Sequence, residues 1–240
     1  MSNEEQKPDS RKILSMVHNR PVTPTPALDK IERYWNVVRA NRLVPSRAEI
    51  DPRGLEGVLG NAFILERITG GLARFRIAGS HISDITGLEL RQMPISALFM
   101  PNSREILSDA LISAFDDPAK VRMRLESKGG FGREKLTGEM IMLPLRSDAG
   151  LVDRILGGIV LDGKIGRTPR RLDILGQSRQ SLVGYAGPTK ADAEFKASYT
   201  KPPVVPQKSA LTPSIAQRPQ APIETSPLGG SHLRLVVDNG

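Results

Sequence analysis

The stretch AFILERITGGLARFRIAG, residues 62–79, decides the fold. Its halves, 62–68 and 72–79, are rich in aliphatic and aromatic residues, and Gly70-Gly71 lies between them. A glycine pair supplies the positive φ angles of a tight hairpin turn, so the stretch predicts two antiparallel strands. In the second half Phe75 and Ile77 alternate with Arg74 and Arg76. A period of two predicts a sheet with one apolar and one wetted face, Phe75 and Ile77 pointing to the same side.

Working downstream, Gly87 and Pro94 break residues 80–100 into short helical turns. After Pro101, Asn102-Ser103-Arg104-Glu105 starts a longer helix whose face is Ile106, Leu107, Ala110, Leu111, Ala114 and Phe115, ending near Asp116-Asp117-Pro118. Val121, Met123 and Leu125 then alternate with Arg122, Arg124 and Glu126, a half-buried strand. Strands over 134–146 and 151–162 follow through short turns, which makes an antiparallel meander. Upstream, Thr25-Pro26 reads as an N-cap and an N1 proline. Leu28, Ile31, Trp35 and Val38 continue at helical spacing, predicting an amphipathic helix over about 27–41. Ser46-Arg47-Ala48-Glu49 has the form of a capping box, and Asp51-Pro52 opens a further turn. The expectation is an α+β domain over 26–166: a five-stranded antiparallel sheet, helices on one face, and a flanking N-terminal helix.

The residues carry a resemblance as well as a topology. Trp35, Arg39, the run Leu43-Val44-Pro45-Ser46-Arg47 and Ile50-Asp51-Pro52 resemble the opening motif of a bacterial subfamily of mostly single-domain PAS proteins. Phe75-Arg76-Ile77-Ala78-Gly79-Ser80 followed by Ile85-Thr86-Gly87-Leu88-Glu89-Leu90 is similar to that subfamily's central signature, where a strand turns into the first short helix. The resemblance spans about 28–165 and implies the PAS fold. The subfamily is largely without an assigned biochemical role, so the function implied is the general one of PAS domains: sensing and regulation through a ligand or a protein contact.

Composition narrows the chemistry. The chain of 240 residues has no cysteine, which rules out disulfides, thiolate nucleophiles, iron–sulfur clusters and the cysteine adduct of a flavin photoreceptor. No apolar run is long enough to span a bilayer, and the first residues lack a secretory apolar stretch, so the expected location is cytoplasmic. The formal charge of +8 is concentrated behind residue 163, where 11 basic side chains meet 5 acidic ones. Leu172, Ile174, Leu175 and Leu182 predict a last helix within 167–186. Residues 1–25 read as an irregular arm. Residues 187–240 read as a disordered, basic tail with eight prolines between 187 and 231 and a short apolar segment at 232–237. Arg167, Arg170, Arg171 and Arg179 raise an alternative, nucleic-acid association through this region, but few aromatics accompany them for stacking.

Candidate site residues follow from the PAS resemblance, in which a ligand sits between the sheet and the helical side. They are Phe75, Ile77, His81, Ile85, Leu98, Phe99, Leu107, Leu111, Met123, Met140 and Met142. The set is apolar, as small-ligand sites mostly are, and it equally describes a filled core, which is the reading preferred here. No cofactor is expected beyond an unidentified small apolar ligand. His18 and His232 fall in the tails, and His81 reads as a polar or capping residue rather than a haem ligand. The loop Gly129-Gly130-Phe131-Gly132-Arg133 joins two strands instead of opening a helix, so it reads as a hairpin loop and not a phosphate cradle. No G-x-S-x-G elbow or H-E-x-x-H helix appears, and no enzyme is expected. Ile31, Trp35 and Val38 form a candidate interaction stripe, either on the domain's own sheet or on a protein partner or second copy.

Overall fold

The computed structural model describes residues 25–183 and Glu194; the expected N-terminal arm and proline-rich tail lie outside the described residues. The elements are α1 (Pro26–Arg39), β1 (Ala62–Thr69), β2 (Leu72–Ala78), α2 (Ser80–Thr86), α3 (Arg104–Asp116), β3 (Ala119–Ser127), β4 (Leu136–Arg146), β5 (Val152–Asp162) and β6 (Asp173–Ser181), with short 3₁₀ turns between them. Strand order is β2-β1-β5-β4-β3-β6, and every pairing is antiparallel.

Helix α1 forms where its sequence signals place it. Pro26 pre-sets φ in the first turn, Asp29 lies near the positive end of the dipole and Arg39 near the negative end. The capping box is real: Glu49 accepts from the Ser46 N–H at 2.9 Å, and Ser46 Oγ accepts from Ala48 N–H at 3.3 Å. The loop 128–135 joins β3 to β4 as a hairpin connection.

The sheet separates two apolar clusters. On the inner face, Leu65, Phe75, Met123, Met140 and Ile159 pack beneath α2 and α3, including Leu107, Leu111 and Phe115. On the outer face, Ile64, Ile141, Leu143 and Leu156 pack beneath Leu28, Ile31 and Trp35 of α1. Each fully buried side chain of this size contributes about 1.5–3 kcal/mol, so both layers matter to stability. Two adjacent glycines on β5 make room for them. A Cβ on Gly157 would stand 2.2 Å from the Phe63 ring on the inner side. A Cβ on Gly158 would stand 2.6 Å from Ile31 Cδ1 on the outer side.

The structure departs from the sequence expectation at several points; on α3, Ile106 is exposed while the rest of the expected face is buried. The sheet has six strands rather than five, because 173–181 is a strand on the free edge of β3 and not a helix. Its pairing jumps from Leu125↔Ile174 to Arg124↔Gly176, so Leu175 is an extra bulged residue. That bulge breaks the period of two and spaces the leucines in a way that imitates a helix. The packed body therefore extends past residue 166, to Leu182 on the outer cluster. The alternating residues of β4 and β5 divide between the two faces: Ile141 and Leu143 lie under α1, whereas Ile159 and Leu161 pack on the inner side.

Candidate functional site

Nine of the eleven proposed pocket residues meet in one place. Phe75, Ile85, Leu98, Phe99, Leu107, Leu111, Met123, Met140 and Met142 are all 0–2% exposed and share the inner cluster. The Phe63 and Phe75 rings contact edge to face, with centroids 5.7 Å apart. Met100 N–H donates to Leu172 C=O at 2.9 Å and Leu172 N–H to Leu98 C=O at 2.8 Å, so the β5–β6 connection closes the cluster at the end near Leu98. Burial of this degree is that of core residues packed against one another.

Ile77 and His81 do not belong to this cluster. The β1–β2 pairing runs Leu65↔Phe75 and then Ile64↔Ile77, leaving Arg76 as an extra residue. This bulge turns the strand by one position, so Ile77 joins Ile64 on the outer face and is 52% exposed. His81 stands exposed in the first turn of α2, with Nδ1 3.2 Å from Asn61 Oδ1. It is a polar residue at the surface. Among the described residues no group of three or more metal-ligating side chains comes together.

The N-terminal helix stripe is spent on the chain's own sheet. Ile31 and Trp35 are fully buried and Val38 packs at their margin. Trp35 Nε1 donates to the Pro144 carbonyl at 2.9 Å, and Arg39 lies over the indole at 4.7 Å. Tyr34 lies across Gly54, where a Cβ would clash at 2.0 Å, and its hydroxyl accepts from Asp51 N–H at 2.7 Å. These residues are thus unavailable to a second protein in this arrangement.

Two charge clusters flank this layer. Arg122 reaches Asp29 at 2.8 Å, Glu32 at 3.0 Å and Glu139 at 3.5 Å, tying α1 to β3 and β4. Burial pushes the Glu139 carboxyl up and nearby Asp29 adds to this; the Thr25 hydrogen bond and Arg122 offset only part, leaving it above its ordinary value. Near the opposite edge, Glu66 is shared by Arg74 at 2.8 Å, Arg154 at 2.7 Å and Arg76 at 3.5 Å. Burial pushes the Glu66 carboxyl up, but the Arg74 hydrogen bond and the three guanidinium charges outweigh it and hold it below the usual carboxylate value.

The basic segment thought to favour nucleic acid is largely engaged in the fold. Arg170 is 1% exposed and donates to Ser127 Oγ at 3.1 Å and the Glu134 carbonyl at 2.5 Å. Arg171 donates to Ala97 C=O at 2.6 Å, and Arg179 pairs with Asp117. Sequence reading missed the structural role of Arg170, since a buried arginine satisfied by carbonyls leaves no pattern along the chain.

The family model for the PAS domain matches residues 23–160. The chain belongs to the PAS domain family. Its sheet and helical side are arranged as the resemblance implied, with β6 added at the edge. Among solved structures this PAS domain is similar to an RNA-binding light–oxygen–voltage receptor, at 18% identity and a TM-score of 0.32; the match covers 48% of this chain and 35% of that receptor. No curated protein gives a significant match. No described helix is long and apolar enough to cross a membrane.

Proposed function

We propose that this PAS protein is a cytoplasmic regulator without catalytic chemistry, which acts by contact with a separate protein. The burial of the inner cluster supports the reading: nine residues that could line a ligand site are 0–2% exposed and share one cluster, which favours recognition at the surface. A small apolar ligand would have to displace side chains of that core, and any such ligand would act by favouring a repacked state. A protein partner is preferred to nucleic acid because Arg170, Arg171 and Arg179 are engaged within the fold.

Quantitative affinity capture with the full chain, followed by reconstitution of retained proteins from purified components, tests the reading. A saturable complex of fixed stoichiometry is expected. Retention that nuclease treatment abolishes, or no complex that reconstitutes, would overturn it.

A further inference from the structure

A groove runs along the outer face beside the β1–β2 edge, and no residue of α1 lines it. Its ends differ in chemistry. One end is an apolar slot of about 70 Å³ whose walls include Ile50, Pro52, Leu55 and Leu59. The other is a wider trough of about 420 Å³ ringed by Arg47, Arg76, Arg91 and Arg154, with Asp148 the one acid in its lining. Arg47, Ile64 and Ile77 line both parts, so slot and trough are continuous.

Two observations separate this groove from incidental surface. The bulge at Arg76 takes Ile77 out of the core and presents it at the junction of slot and trough, beside Leu59, which is 45% exposed. Bulges re-aim side chains, and here an aliphatic one is aimed into solvent at a position where the strand pattern would have buried it. The charges are also only partly compensated. Arg76 shares the carboxylate of Glu66 with Arg74 and Arg154, Arg154 pairs also with Asp153 at 3.0 Å, and among the described residues the guanidinium groups of Arg47 and Arg91 have no hydrogen-bond or ion-pair partner. Guanidinium clusters of this kind suit carboxylates, which they bind in bidentate fashion.

We propose that the groove receives an acidic segment of a protein partner, with one aliphatic side chain seated in the slot by Ile77 and carboxylates on Arg47, Arg76 and Arg91. Taken with the partner-binding reading on which it rests, the groove specifies the partner's chemistry. Nucleic acid fits less well: the one aromatic in the lining, Phe63, is 1% exposed and offers no face for stacking.

The test is panning of a displayed random peptide library against the full chain, followed by fluorescence anisotropy with an enriched peptide. The expected peptides carry several Asp or Glu residues around one Leu, Ile or Met. Their affinity should fall about tenfold or more with Arg91→Glu, further with Arg76→Glu added, and by a similar factor with Ile77→Asp, while weakening steeply with salt. Arg91 and Ile77 are exposed, so Arg91→Glu and Ile77→Asp should melt close to wild type, whereas Arg76→Glu sets a second carboxylate beside Glu66 and should melt somewhat lower. Failure to enrich acidic peptides, or peptides that bind Arg91→Glu as well as wild type, would overturn the assignment. So would a labelled oligouridylate that binds with the same arginine dependence when no peptide does. A reconstituted partner complex indifferent to the double charge reversal removes the groove but leaves the partner reading; absence of any complex removes both.

Discussion

Replacing Trp35 by alanine should come close to unfolding the domain, and the structure says by how much. The indole is fully buried between α1 and the outer sheet face. Truncating a buried aromatic to alanine costs about 3–5 kcal/mol through lost transfer energy and the cavity left behind. The substitution also strips the buried Pro144 carbonyl of its 2.9 Å donor and removes the ring under Arg39. An orphaned buried acceptor costs roughly 1–3 kcal/mol, so the total should reach the top of the cavity range, near 5 kcal/mol. That is comparable to the whole stability of many domains, about 5–15 kcal/mol. Trp35→Phe keeps most of the apolar volume and loses mainly the hydrogen bond, for about 1–2 kcal/mol. Urea unfolding followed by far-ultraviolet circular dichroism measures both, since Trp35 is the only tryptophan and fluorescence would be lost with it. A cost for Trp35→Ala below about 1 kcal/mol would refute the claim that α1 is an integral layer of this domain.

Other perturbations follow from particular contacts. Gly158→Val places carbon against Ile31 and Leu28 and should destabilise by about 1–3 kcal/mol in the same urea assay, with α1 the first segment to lose hydrogen-exchange protection. Phe75→Ala should cost about 3–5 kcal/mol, while Ile77→Ala, on the other side of the bulge, should cost under about 1 kcal/mol; equal costs would contradict the bulge. Glu66 and Glu139 should respond to pH with opposite signs. The fold lowers the Glu66 value, so its contribution is present above the unfolded carboxyl pKa and is lost as pH falls through the folded one. Glu66→Gln should therefore destabilise at neutral pH and approach wild type in acid. The fold raises the Glu139 value, so its contribution is complete below the unfolded pKa and declines as pH rises through the folded one. Glu139→Gln should be more stable than wild type at neutral pH and indistinguishable from it in acid.

What could be read along the chain was whatever obeyed a regular period. The hairpin about Gly70-Gly71 as far as Phe75, the α3 face from Leu107 to Phe115 and the alternation at Val121, Met123 and Leu125 placed their residues on the correct side, whereas Ile106 and Ile77 are exposed. Two of the failures came from one extra residue in a strand. At Arg76 it moved Ile77 to the outer face, and at Leu175 it disguised an edge strand as a helix. A bulge is stabilised by neighbouring strands and leaves no repeat in the sequence that carries it. The arginine groove was invisible for a related reason. Its cations come from residues 47, 76, 91 and 154, which only the folded sheet brings together.

Regulation through the surface, as proposed, requires that the inner core hold only the chain's own side chains. A native mass spectrum of freshly purified full chain addresses it directly. The protein should ionise at the mass of the polypeptide alone. A discrete additional mass, retained under gentle conditions and lost on denaturation, together with protection of Met123, Met140 and Met142 from oxidation that its removal abolishes, would contradict the claim.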